Sequence, residues 1–182
     1  MLEDSLSIRP MQLDDFAVRV AYFHEATDEH LDRLGVERSL LPNPREWQAR
    51  FASNLELPLE DRSEYGVVWK LDDTPVGFST ADQIQFGVEA HMHLHIIDHE
   101  RRAAGLGSRF VRLTAMHYCK VLRLDRLYCE PNAFNVAPNR TLQSAGFRYV
   151  RSRRCRPTPI NTHQTTTIWL YEPEPASDRT TR

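Results

Sequence analysis

The spacing of hydrophobic positions changes several times along the chain, and each change predicts an element. "LSIRP" alternates apolar and polar side chains and closes at Pro10, which predicts a short first strand. In "QLDDFAVRVAYFHEATDEHLDRLG" the residues Phe16, Val20 and Phe23 fall at helical spacing, with Gly35 as the predicted stop. "LPNPREWQARFASNL" predicts a second helix. Asn43 is placed to cap it, Pro44 suits the first helical position, and Trp47, Phe51 and Leu55 recur at i, i+4 and i+8. "LPLEDRSE" reads as a loop. Strand patterns follow in "YGVVWKL", "PVGFSTADQI" and "VEAHMHLHII", separated by a "DDTP" turn and a short break at "QFG".

Residues 105–122 return to helical spacing. Leu106, Phe110, Val111, Leu113, Ala115, Tyr118 and Leu122 cover a wide apolar arc. Ser108, Arg109, Arg112 and Lys120 fill the narrow stripe that remains, so the helix should be mostly buried against a sheet. "LDRLYCE" predicts a strand, and a short helix follows from about Asn135 to Ala145 with its stop at Gly146. "FRYVRSRRCR" and "HQTTTIWLYE" predict two last strands. The order is strand, two helices, three strands, helix, strand, helix, two strands. It predicts a single α/β (α+β) domain with a largely antiparallel mixed sheet flanked by helices over residues 1–172. The tail 173–182, "PEPASDRTTR", has no apolar stretch and reads as disordered.

Composition narrows the class. With 182 residues the chain can bury a full core, and 41% hydrophobic and 26% charged residues are ordinary globular values. A net charge of −2 speaks against a general nucleic-acid or membrane binder, and no apolar run approaches a membrane span. The N-terminus lacks the apolar stretch of a signal peptide. Cys119, Cys129 and Cys155 lie far apart without a CxxC pair, which fits a cytoplasmic protein without a disulfide framework. Cys129 reads as structural. The five arginines of "RYVRSRRCR" read as an exposed edge, with an anionic substrate or RNA as the functional alternative. Trp47, Phe51 and Tyr22 are open to two readings, pocket wall or core.

Two features carry candidate chemistry. The first is the turn "RRAAGLGS", whose glycines let backbone N–H groups approach a ligand just before a helix N-terminus, an arrangement suited to an anion. It lacks the third glycine of GxGxxG and the GK[ST] of a P-loop, so a plain strand-to-helix turn stays open. The second is the row His91, His93 and His95, which strand alternation places on one face, with Met92, Leu94 and Ile96 on the other. Imidazoles with a pKa near about 6.5 suit general-base work at neutral pH. A metal site is the rival reading: His93 and His95 form an HxH with Asp98 and His99 nearby. The glycine turn and buried helix that follow argue against the β-barrels that use such spacing, so no metal is expected.

The segment "RAAGLG", Arg102 to Gly107, resembles the Q/R-x-x-G-x-G/A signature of the GNAT superfamily of N-acetyltransferases. A second match is "NVAPNRTLQSAGF", with Asn135 eleven residues before the Gly146–Phe147 pair. The pattern of Asn135, Ala137 and Leu142 is similar to the branch that includes ribosomal-protein N-terminal acetyltransferases. The resemblance covers roughly residues 5 to 172.

It implies an acyl-CoA-dependent N-acetyltransferase that moves an acetyl group from acetyl-CoA to a primary amine by direct attack. The acceptor would be a small molecule or a peptide, with no nucleic acid or membrane as partner; a homodimer stays open. Backbone amides of Ala103, Ala104, Gly105, Leu106, Gly107 and Ser108 would hold the pyrophosphate, flanked by Arg102. The strand at Ile96 and Ile97 would pair with the pantetheine arm, and backbone at about His95 to Ile97 would polarise the carbonyl. Asn135 would contact the pantetheine or the helix start. Arg109 and Arg112 are candidates for the 3′-phosphate or a solvated helix face. His91 falls where several family members carry a glutamate base, with Glu89 as its alternative or orienter. The usual acid positions hold Leu142 and Pro138, which leaves the acid unassigned. That gap motivates the alternative of a non-catalytic acyl-CoA-binding module; a His-ligated metal enzyme ranks below it.

Overall fold

In a computed structural model, residues 5–97 and 106–174 are described. The chain runs β1 (Leu6–Pro10), α1 (Phe16–His24), α2 (Asp28–Leu34), α3 (Pro44–Glu56), β2 (Glu64–Leu71), β3 (Thr74–Gln85), β4 (Glu89–Ile96), α4 (Leu106–Val121), β5 (Arg126–Cys129), α5 (Val136–Ser144), β6 (Arg148–Cys155) and β7 (Gln164–Tyr171). The strands form one seven-stranded sheet in the order β1-β2-β3-β4-β5-β7-β6. Every neighbouring pair is antiparallel except β4 with β5. The expected mixed, largely antiparallel sheet is therefore present.

Caps fix the helices where the sequence signals them. Asn43 Oδ1 accepts from the Arg45 amide at 3.0 Å, and Pro44 opens α3. Gly35 closes α2 with φ +65°, the left-handed conformation that glycine tolerates. The run expected as one helix before Gly35 is two. Thr27 takes an extended conformation and its Oγ1 accepts from the His30 amide at 3.2 Å, so a new helix starts there. Thr27 followed by Asp28 and Glu29 is an N-terminus signal that apolar spacing alone overrode.

Strand alternation sorts the core into two layers. Tyr65, Val67, Trp69, Ala90 and Met92 face α4 and α5. Val68 and Phe78 face Phe16, Trp47 and Phe51 from the α1 and α3 side. Trp69 stacks on Phe110 at 5.2 Å and donates Nε1–H to Thr114 Oγ1 at 2.8 Å, locking α4 to the sheet. The predicted arc of α4 is buried at Phe110, Val111, Ala115 and Tyr118, but Leu113 lies at its margin, 37% exposed. Strand β6 is the sheet edge, with Arg148 to Arg154 all exposed, as expected of a charged edge.

Candidate active site

The one parallel pair creates the site. Strands β4 and β5 are in register only from Glu89↔Arg126 to Met92↔Cys129. Beyond Met92 the chains part, and His93 to Ile96 have no strand partner on that side among the described residues. A cavity of about 540 Å³ fills the gap. Its walls include Met92 to His95, Thr80 and Asp82 of the sheet, Arg19 and Trp47 of the helices, and Glu130 to Asn132 beyond β5.

The far wall, from Pro157 to Gln164, is fastened to the end of α2. The Gly35 carbonyl accepts from the Thr162 amide at 3.0 Å, Asn161 Nδ2 at 3.0 Å and Gln164 Nε2 at 3.3 Å. A side chain at position 35 would meet Gln164 at 1.9 Å. On the α1 wall, Arg19 pairs with Glu64 at 2.8 Å and lies 4.8 Å over the Trp47 ring. Trp47 is thus both core and cavity wall, whereas Phe51 is core alone.

The three histidines share a face but not an environment. His91 stacks on Tyr128 at 5.3 Å and is not among the cavity-lining residues. Burial lowers its pKa, against the opposing pull of Asp82. His95 sits between Tyr22, Phe23 and Phe78, with ring centroids 4.9, 5.1 and 4.7 Å away. Part of its surface borders the cavity, yet burial drives its pKa well below the ordinary value and keeps the ring neutral. Its Nδ1 is buried without a hydrogen-bond partner.

His93 lies between them on the cavity wall. Its Nε2 stands 3.0 Å from Asp82 Oδ1. Both atoms are sealed from solvent and neither meets hydrogen-bond geometry, so the contact is Coulombic, with the carboxylate off the N–H direction. Burial works against the Asp82 carboxylate, but the His93 and His91 imidazoles and Gln83 outweigh it and hold its pKa below the usual range. A buried chain fixes the His93 backbone: Tyr118 OH donates to Ser79 Oγ at 3.1 Å, which donates to the His93 carbonyl at 2.6 Å. Pattern reading found the histidines but missed Asp82, Ser79 and Tyr118, because their partnership arises only from strand pairing.

The remaining expected residues fall as follows. Glu89 pairs with Arg126 at 2.9 Å and does not line the cavity. Ile96 closes β4 opposite Gly77, and the Ile97 amide donates to the Val76 carbonyl at 3.0 Å. Leu106, Gly107 and Ser108 form the first turn of α4, with Gly107 near Thr141 and Ile96. Arg102, Ala103, Ala104 and Gly105, with Asp98 and His99, lie outside the described residues. Asn135 lines the cavity just before α5 without capping it; its Nδ2 donates to the Arg33 carbonyl at 3.3 Å. Arg109 and Arg112 are exposed. Leu142 is fully buried and Pro138 lines the cavity. Burial pushes the Cys129 thiol up to about 12, consistent with a structural cysteine. Among the described residues no group of three or more His, Cys, Asp or Glu is placed to hold a metal, and no helix is long and apolar enough to cross a membrane.

A sheet split at its parallel pair, opening beside the start of α4, accords with the sequence signature. The profile of the acetyltransferase (GNAT) domain matches residues 5–148. The chain belongs to the GNAT acetyltransferase family. Membership carries the reaction class, N-acetylation with acetyl-CoA as donor. No curated protein matches the sequence of this GNAT domain. Solved structures share its fold. Spermidine N-acetyltransferase from Vibrio cholerae, in complex with CoA and spermine, superposes with a TM-score of 0.74 at 14% identity, covering 92% of this chain and 95% of that one. Ribosomal-protein-S5-alanine acetyltransferase from Vibrio fischeri gives 0.72 at 19% identity, covering 92% of each chain. An aminoglycoside acetyltransferase bound to coenzyme A and kanamycin gives 0.68 at 15% identity, covering 92% and 95%.

Proposed function

We propose that this GNAT protein acetylates a primary amine in the cavity between β4 and β5, with acetyl-CoA lying along the open edge of β4. The observation that carries the reading is that free edge, His93 to Ile96, running toward the first turn of α4. Unpaired strand N–H and C=O groups are a template for an amide-bearing arm. The first N–H groups of a helix lack intrahelical partners and carry the positive end of its dipole, which suits a pyrophosphate. In this reading Ile96 and Ile97 flank the arm, Arg102 to Ser108 hold the pyrophosphate, and Asn135 borders the pantetheine. Acetyl-CoA supplies a thioester carbonyl, and the amine attacks it directly without a covalent enzyme intermediate. The base comes from the histidine face of β4, where the family resemblance points to His91 backed by Glu89. No metal takes part, and the setting is the cytoplasm, which the three free thiols support. The acceptor is a small or peptide amine of the kinds the similar structures hold or are named for, with spermine, kanamycin and an alanine N-terminus as first probes.

Gly107→Glu tests the cradle. A Cβ at 107 meets Thr141 at an ordinary 3.6 Å, so the helix should tolerate a side chain there while a carboxylate repels phosphate. Calorimetry should show wild-type protein binding acetyl-CoA and the folded variant binding at least about 10-fold more weakly. Equal affinity would remove the helix start from the site. The missing acids at Leu142 and Pro138 favour one other reading, an acyl-CoA-binding module without turnover. Release of free CoA with any of the three amines decides against it.

A further inference from the structure

We infer that His93 is the proton acceptor for the incoming amine and that Asp82 is its positioning residue. The inference rests on the proposed function and replaces His91 in that role.

Structural aspartates in a sheet normally take backbone or side-chain N–H groups. Asp82 Oδ1 instead has only the His93 ring, at 3.0 Å, and it is shut off from water. The rest of the carboxylate meets Gln83 and solvent, so what calls for an explanation is the one sealed oxygen, left to face His93 alone. It lies where β3 turns irregular: the register with β4 shifts between Asp82 and Gln85, and Gln83 has φ +49°. With the carboxylate at Nε2, the ring keeps its proton on that nitrogen. The unshared pair then sits on Nδ1, the His93 nitrogen that is not sealed. His93 lines the cavity and its side chain is 26% exposed; His91 does not line it. His91 and His95 of β4 interact electrostatically with His93, and the charged groups lining the cavity with it are Arg19 of α1, Arg33 of α2, Glu46 and Arg50 of α3, Glu64 of β2 and Glu130 beyond β5.

The proton count closes. The amine arrives as an ammonium with three protons and no unshared pair. His93 Nδ1 takes one, Asp82 offsets the imidazolium charge, and the freed amine forms the C–N bond as the C–S bond breaks. One proton stays on the amide nitrogen and one ends on the CoA sulfur. The His93 proton returns to solvent through the cavity. An off-axis Asp–His contact in the unliganded state is common and tightens when substrate binds. Ser79 and Tyr118 hold the His93 backbone while this happens.

The test uses the full chain and free-CoA release, with spermine, kanamycin and a peptide of free alanine N-terminus; the fastest of these serves for the variants. His93→Ala should keep acetyl-CoA affinity by calorimetry and lose roughly 10²-fold or more in kcat. Added imidazole should restore part of that loss, and alkaline pH should shrink it, since more amine is already deprotonated. Asp82→Asn should lower kcat roughly 10-fold or more with KM little changed, and imidazole should not help it. If His93→Ala fails to fold, His93→Gln takes its place. Full turnover in a folded His93 variant overturns the assignment and leaves the proposed function standing. So does a larger, imidazole-restored loss in His91→Ala, which would make His91 the base. If acetyl-CoA binds and no amine is turned over, both readings fall together.

Discussion

At the scale of single residues, identical side chains two positions apart on one strand do different work because their neighbours differ. His95 shows it through stability. Its ring is neutral among Tyr22, Phe23 and Phe78, and its pKa lies well below the value of about 6.5 that an unfolded chain gives it. As pH falls through 6.5 the unfolded chain gains a proton that the folded ring refuses, so stability present above that pH is lost below it. His91 and His117, also lowered by burial, act in the same direction. Replacing His95 by Phe removes one such group and an orphaned Nδ1. Thermal melts at pH 7 and pH 5 should therefore differ less in His95→Phe than in wild type. An equal drop in both would place the acid-sensitive proton elsewhere. The sequence alone could put the three histidines on one face. It could not rank them, since Asp82, Tyr128 and Phe78 reach them only through strand pairing and packing.

At the scale of elements, the strands and most helices were legible because alternation, capping and glycine stops agree with one another. Asn43 and Pro44 start α3, Gly35 ends α2, and the "DDTP" turn joins β2 to β3 through Asp72 and Asp73, both at positive φ. The start of α2 was not, because a capping threonine inside an apolar repeat competes with the repeat itself. What no local pattern announces is the close approach at Gly77. A Cβ there would stand 2.7 Å from the His95 carbonyl and 2.9 Å from Trp69. The first contact is backbone on the partner strand, so it can yield only by moving β4 where its free edge begins. Gly77→Ala should cost about 1–3 kcal/mol, as overpacking usually does. It should also weaken acetyl-CoA binding if the edge is the pantetheine track. Chemical denaturation and calorimetry read the two effects separately. Unchanged values in both would mean that β4 gives way without consequence.

At the scale of the whole molecule, the parting of β4 and β5 opens the sheet, and the cavity lies in the gap. Only four residue pairs join these strands. The cavity therefore needs other ties across its mouth, and the Gly35 carbonyl provides one. Three donors from residues 161 to 164 converge on it, a contact spanning more than 120 positions of sequence. Asn135 adds a second tie, to the Arg33 carbonyl. Neither was legible beforehand. The local pattern makes Gly35 a helix stop and Asn135 a cofactor contact; their long-range roles follow from how the sheet parts. Gly35→Ala tests the first tie. Its φ of +65° disfavours any side chain, and a Cβ would overlap Gln164 at 1.9 Å. Gln164 must swing away, taking its hydrogen bond to the Gly35 carbonyl with it and loosening the wall from Pro157 to Asn161. That wall is part of the cavity but lies away from the α4 start, where the cofactor's phosphates are proposed to sit. The variant should raise KM for the amine severalfold while acetyl-CoA affinity stays near wild type, and hydrogen exchange should quicken over 157–164. A fall in acetyl-CoA affinity with exchange in that loop unchanged would show that the wall stands without Gly35.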